Sequence, residues 1–247
     1  AAGCSAAAGA CEKSGQWPSA LGMFDVMPSL RIGPDLVCCN AVISACQPRG
    51  LWARACAVLR SLPELRLVPD VVSFNAAISA CERGRQWEAG IGLVGAMLEL
   101  SAAPDVVSCN AAVSACDAGG QWQQLLAVLS AMSRLRVVPD VSSCGTAMGA
   151  CERNGHWRLA VGMLGAMPDL SMPPSAVSCS AGISACEGIG QWRLALALLG
   201  TMPRLSAELD VVSCNAAMSA CEKGGQWQLA LRLLGVMPAL RVAADTV

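Results

Sequence analysis

The chain has 247 residues, 54% of them hydrophobic and 14% charged, with 17 Lys plus Arg against 18 Asp plus Glu and a formal net charge of −1. No run of about 18 uninterrupted apolar residues occurs, which argues for a soluble protein and against a membrane-spanning helix. The near-zero charge weighs against tight nucleic-acid binding through phosphate neutralisation alone.

In chain order the tryptophans stand at Trp17, Trp52, Trp87, Trp122, Trp157, Trp192 and Trp227, each 35 residues after the last. A fixed period of this size is the signature of a solenoid, in which each unit buries its apolar face only by stacking on its neighbours. The repeats are 1–35, 36–70, 71–105, 106–140, 141–175, 176–210 and 211–245, read as one continuous array over 1–245, with Thr246-Val247 opening an eighth. A start without Met inside one repeat and a stop two residues into another read as an excerpt of a longer array.

The first element of each repeat is a helix A. In repeat 71–105, Phe74, Ala77, Ile78 and Cys81 occupy positions 4, 7, 8 and 11, the i, i+3, i+4, i+7 stripe of an amphipathic helix. A glycine break follows at positions 14 and 15 (Gly84; Gly119-Gly120; Gly155; Gly190; Gly224-Gly225). Helix B then runs from Trp to Met, with Leu62 replacing the Met once, and Pro28, Pro168, Pro203 and Pro238 stand where it stops. Each repeat is therefore a helical hairpin, and the chain is all-α.

Fifteen cysteines would suit a disulfide scaffold in a short secreted chain. Their register says otherwise. Seven stand at position 11 and six at position 4, where Phe74 fills the remaining slot, so the slot asks for bulk and not for sulfur. Positions 4 and 11 are about 10 Å apart along a helix, too far for a disulfide or for a shared zinc within one repeat. Reduced core thiols and a reducing compartment follow, with Cys38 and Cys56 outside the pattern.

Packing leaves two positions unexplained. Asn40, Asn75, Asn110 and Asn215 occupy position 5, beside the apolar stripe, where the other repeats have Ser5, Gly145 and Ser180. Asn is a mediocre helix former, so propensity gives no reason to repeat it. Asp35, Asp70, Asp105, Asp140, Asp210 and Asp245 close six repeats and Ser175 the other, usually after a proline. An acid there is a good N-cap for the next helix A, a role compatible with ligand contact.

The 35-residue period, the opening Val71-Val72-Ser73-Phe74-Asn75, the Ser79-Ala80-Cys81 stretch, the glycine turn, the helix ending in Met97 and the closing Pro104-Asp105 resemble P-type pentatricopeptide repeats. The resemblance implies a right-handed α-solenoid superhelix that binds single-stranded RNA, one base per repeat. It implies base reading by the position 5 residue together with the last residue of the repeat. Asn with Asp, as in Asn40/Asp70, would read uridine, and Ser with Asp, as in Ser5/Asp35 and Ser180/Asp210, guanine. Gly145 with Ser175 gives no readable base. Val37, Val72, Val107, Val177 and Val212 would sandwich the bases, with Ala2 and Ser142 as departures, and Lys13, Arg83, Arg153 and Lys223 at position 13 would meet phosphates. The implied ligand is 5′-G-U-U-U-n-G-U-3′, and the implied compartment a mitochondrion or plastid.

His156 is the single histidine and reads as structural. No metal-spaced His/Cys cluster, phosphate-cradling glycine loop or recurrent carboxylate pair is present, so the segment is expected to work without cofactor, metal or catalysis, any catalytic domain lying outside it. The alternative to an organellar RNA adaptor is a protein-binding scaffold, since helical-repeat grooves also take protein partners.

Overall fold

The computed structural model describes residues 2–27, 33–168, 172–205 and 209–237. Asp245, Pro238 and Thr246-Val247 lie outside them, as does Pro28. The described residues fold into fourteen α-helices, two for each repeat. They gather into two compact blocks, 1–137 and 138–247.

The first block holds α1 (Ala2–Lys13), α2 (Trp17–Val26), α3 (Leu36–Cys46), α4 (Trp52–Ser61), α5 (Val71–Arg83), α6 (Trp87–Glu99), α7 (Val106–Ala118) and α8 (Trp122–Arg134). Each helix A packs on its own helix B, and within the block the helices A pack on one another in the series α1 on α3, α3 on α5 and α5 on α7. The helices B α2, α4 and α6 also lean on the helix A that follows them. The second block repeats the scheme with α9 (Val141–Arg153), α10 (Trp157–Ala166), α11 (Ala176–Glu187), α12 (Trp192–Thr201), α13 (Val211–Lys223) and α14 (Trp227–Val236). This is the nearest-neighbour stacking of a helical-repeat solenoid.

The cores follow the register read from the sequence. Cys39, Val42, Ile43 and Cys46 of α3 are buried, as are Phe74, Ala77, Ile78 and Cys81 of α5. The position 27 residues Met27, Leu62, Met97, Met132, Met167, Met202 and Met237 are all essentially inaccessible. Every cysteine whose state is described is a free thiol.

Every helix B begins at its tryptophan, but its end depends on position 28. With proline there (Pro28, Pro63, Pro168, Pro203, Pro238) the helix stops at position 26, and with Leu98 or Ser133 it runs on to Glu99 or Arg134. Proline disfavours helical backbone in the residue before it, which sets the shorter stop. Pro48 acts similarly on α3, which ends at Cys46 and gives way to a 3-10 turn over Gln47–Arg49.

Position 14 is where repeats meet most closely. A Cβ at Gly84 would lie 2.8 Å from Trp52 Cδ1, so the tryptophan of one repeat seats on bare backbone of the next. Position 15 turns the hairpin in the left-handed region, with glycine in six repeats and Arg85 at φ 55° in the remaining one.

Candidate nucleic-acid interface

The site is built from the junction between repeats. Asp35, Asp70, Asp105, Asp140, Asp210 and Ser175 hold extended backbone and cap the helix A that follows. The carboxylates accept the backbone N–H of Cys38, Ser73, Ser108, Ser143 and Ser213 at 2.8 Å. These are helix-start donors without an intrahelical partner, and the positive helix end favours the anion.

A second layer was not read from the sequence. The position 3 serines Ser73, Ser108, Ser143, Ser178 and Ser213 are buried, and each returns a bond by accepting the backbone N–H of its own cap residue, for example Asp105 at 3.1 Å and Asp140 at 2.8 Å. The result is a reciprocal capping box. Cys38 takes this place in α3, where the cap is one-sided. The signal for the box in the sequence is the recurring Asp-x-x-Ser, as in Asp70 to Ser73 and Asp105 to Ser108.

The same carboxylates reach back to position 5. Ser5 Oγ donates to Asp35 Oδ2 at 2.8 Å, Asn40 Nδ2 to Asp70 Oδ1 at 3.2 Å, and Asn75 Nδ2 to both oxygens of Asp105 at 3.3 Å. Position 5 and the closing acid, 30 residues apart, thus form one half-buried polar unit. Ser73 Oγ lies 2.6 Å from Asn40 Oδ1 and 2.8 Å from Asp70 Oδ1, so its single proton is shared between two acceptors. Asn75 Oδ1 is buried and accepts no hydrogen bond, a condition that costs about 1–3 kcal/mol.

The remaining expected readers stand differently. Ser180 Oγ turns to the Val177 carbonyl at 3.0 Å. Gly145 offers no side chain, Ser175 caps α11 with a hydroxyl, and Asn215 is half-buried while Asp245 lies outside the described residues. Asn110 is half-buried on α7, and Asp140 caps α9.

Val37, Val72, Val107, Val177 and Val212 are 65%, 57%, 57%, 70% and 60% exposed. Each is the second residue of its helix, two positions past a cap. Lys13, Arg83, Arg153 and Lys223 are exposed at the far end of helix A. Lys223 pairs with Glu187 of the preceding repeat at 2.9 Å and not with the adjacent Glu222, and Glu187 also accepts from Ser219 Oγ at 2.8 Å.

The capping bonds set the charge state. In Asp70 burial alone would push the carboxyl up, but the Ser73 backbone N–H, the Ser73 hydroxyl and the Asn40 amide outweigh it and hold the carboxyl below its ordinary 3.8. Asp105 behaves alike through Ser108 and Asn75. Asp35 is lowered first by the Cys38 N–H and then by Ser5. The junctions therefore present ionised carboxylates at neutral pH. Among the described residues no group of three His, Cys, Asp or Glu side chains gathers around a metal position, and no helix is long and apolar enough to cross a membrane.

Family models agree with this architecture. The pentatricopeptide repeat domain matches residues 23–83, and the PPR repeat matches 72–101 and 212–242. Among solved structures, the pentatricopeptide repeat protein PPR10 from maize is similar over 98% of this chain and 34% of its own, at 23% identity and TM-score 0.71. PPR10 in complex with an 18-nt psaJ RNA element is similar over 97% of this chain and 35% of its own, at 18% identity and TM-score 0.75. The PPR domain of Arabidopsis thaliana protein-only RNase P 1, in complex with tRNA, is similar over 69% of this chain and 90% of its own, at 16% identity and TM-score 0.60. The chain thus spans about a third of the length of PPR10. A comparison with curated proteins gives no match.

Proposed function

The chain is a pentatricopeptide repeat protein, and on that premise we propose that it is a non-enzymatic adaptor that binds single-stranded RNA, its seven repeats acting as one array at one base per repeat. The observation that carries this reading is a position 5 side chain hydrogen-bonded to the carboxylate closing its own repeat beside an exposed position 2 valine, in Val37/Asn40/Asp70 and Val72/Asn75/Asp105, with the same bond between Ser5 and Asp35 in the first repeat. An isolated apolar side chain on a surface needs no explanation. A row of them at one position per repeat, with a polar unit beside Val37 and Val72, suits a flat ring laid on the valine with its edge toward the amide. An Asn amide carries both donor and acceptor for a pyrimidine edge, and the orphaned Asn75 Oδ1 lacks a donor such as a uracil ring N–H.

The readers are Ser5, Asn40, Asn75, Asn110, Ser180 and Asn215 at position 5, with Asp35, Asp70, Asp105, Asp140, Asp210 and Asp245 at position 35, while Gly145 and Ser175 hold the same positions in the fifth repeat and leave its base unread. The ligand is 5′-GUUUnGU-3′. Lys13, Arg83, Arg153 and Lys223 supply the phosphate contacts. The PPR10 and RNase P structures in complex with RNA support the ligand class, and the family's usual setting supports a mitochondrion or plastid, where such an adaptor directs RNA processing, editing, stability or translation.

One feature favours the second reading, a protein-binding scaffold. Ile91, Val94 and Leu98 of α6 with Val128, Ala131 and Leu135 line an apolar groove of about 370 Å³. Titration of labelled 5′-GUUUAGU-3′ against poly(A) separates the two. Preference for the first oligonucleotide supports base reading, and no binding at low salt, or indifference to sequence, supports the scaffold.

A further inference from the structure

The position 3 serines are alike as caps but not in what else they touch. Ser108, Ser143 and Ser178 turn their hydroxyls to the cap residue of their own helix, Ser108 to Asp105 Oδ1 at 2.7 Å, Ser143 to the Asp140 carbonyl at 2.9 Å and Ser178 to the Ser175 carbonyl at 2.9 Å. Ser213 does the same with Asp210. Among these five, Ser73 alone also reaches the position 5 side chain of the repeat before it, with its Oγ 2.6 Å from Asn40 Oδ1.

Asn40 is therefore held at both ends. Its Nδ2 donates to Asp70 Oδ1 at 3.2 Å, and its Oδ1 accepts from the fully buried Ser73. Asn75 is held at one end only: its Nδ2 donates to Asp105 at 3.3 Å, while its Oδ1 has no donor because the Ser108 hydroxyl serves Asp105. The two repeats otherwise match, each with a closing aspartate, a reciprocal capping box beyond it and an exposed position 2 valine.

Which end of the amide faces a pyrimidine decides which pyrimidine it suits. Uracil presents a carbonyl oxygen beside a ring N–H, and cytosine an amino group beside a ring nitrogen that accepts, so the two edges carry reversed patterns. An Asn amide has donor and acceptor side by side, and turning it end for end exchanges one match for the other. In Asn40 that turn breaks the bond from Ser73 together with the bond to Asp70. In Asn75 it breaks only the bonding to Asp105.

Resting on the base reading given above, we propose that Ser73 is a positioning residue for the second nucleotide: its bond to Asn40 Oδ1 fixes which end of the amide meets the base, so the second repeat separates uracil from cytosine more sharply than the third. The second repeat then reads with three residues, Asn40, Asp70 and a serine supplied by the repeat that follows.

Competition binding of the whole chain compares 5′-GUUUAGU-3′ with 5′-GCUUAGU-3′ and 5′-GUCUAGU-3′. The native chain should favour U over C at both nucleotides, about fivefold more strongly at the second than at the third. Ser73→Cys introduces the residue type already present at position 3 of the second repeat as Cys38, and a thiol is a weak donor. It should lower the second-nucleotide ratio about fivefold, to that of the third, whereas Ser73→Thr should keep the native ratio. Ser108→Ala removes the equivalent cap without touching Asn75 and should leave the third-nucleotide ratio unchanged, so a role in folding alone does not give this pattern. A native preference of equal size at the two nucleotides, a second-nucleotide ratio untouched by Ser73→Cys, or an equal fall of the third-nucleotide ratio with Ser108→Ala would overturn this inference and leave the base reading standing. A native chain indifferent to U and C at both nucleotides would sink the base reading and this inference with it.

Discussion

Asn40 Nδ2 donates to Asp70 Oδ1 across 3.2 Å, tying the fifth residue of a repeat to its last at the point where Asp70 also caps the next helix. One carboxylate thereby links the helix start, the repeat junction and the position 5 amide. Capping and recognition are not competing accounts of the acid, because its two oxygens have bonding capacity for both.

Ser73 tests how far the second layer supports the first. Its hydroxyl serves the Asp70 N–H, Asp70 Oδ1 and Asn40 Oδ1. Ser73→Ala should cost about 1–2 kcal/mol in urea unfolding through the lost cap and the orphaned amide oxygen. The same variant should weaken discrimination at the second nucleotide of the RNA. Unchanged stability would show that the hydroxyl is idle.

Acid should loosen the junctions. The carboxyls of Asp35, Asp70 and Asp105 are held below their ordinary 3.8 in the folded chain. A depressed folded value adds stability that is fully present above the unfolded value and is lost as pH falls through the folded one. Unfolding midpoints should therefore be level on this account between about pH 7 and 5 and fall below about pH 4. Asp70→Asn with Asp105→Asn should flatten that fall.

The turn offers a pair of opposite outcomes. Arg85 sits at φ 55° where the other repeats have glycine, and left-handed backbone costs a residue with a Cβ about 1–2 kcal/mol. Arg85→Gly should therefore stabilise by about 1 kcal/mol. Gly84→Ala should destabilise by about 1–3 kcal/mol, because its Cβ would lie 2.8 Å from Trp52 Cδ1. Chemical denaturation of both variants checks this.

Salt dependence reports the phosphate contacts. Four contacts on a single strand give a log–log slope of about −2.8, but Lys223 is already held by Glu187 at 2.9 Å. The slope should lie nearer −2 than −2.8, and Glu187→Gln should steepen it by about 0.7 as Lys223 is released. An unchanged slope would remove Lys223 from the interface.

Period, hairpin, tryptophan start, buried methionine and acid cap were all legible in the sequence, because each depends on local periodicity or on one residue's effect on its own backbone. Ser73 and the Lys223–Glu187 pair were not. The Ser73–Asn40 and Lys223–Glu187 bonds join residues 33 and 36 positions apart, and such partners meet only after neighbouring repeats stack. Ser180 shows the converse, since composition matches it to Ser5 while its hydroxyl turns to the Val177 carbonyl. A repeat pattern fixes which positions face the junction, and stacking fixes which atoms meet there.

The most direct test exchanges one reader. Asn75→Ser converts the third repeat from Asn with Asp105 to Ser with Asp105, and binding is compared between 5′-GUUUAGU-3′ and 5′-GUGUAGU-3′ in competition. The account predicts that the native chain prefers U at the third nucleotide and that the variant shifts toward G there, with preferences at the other positions unchanged. Equal loss of affinity for both oligonucleotides, or no shift at that nucleotide, would contradict it.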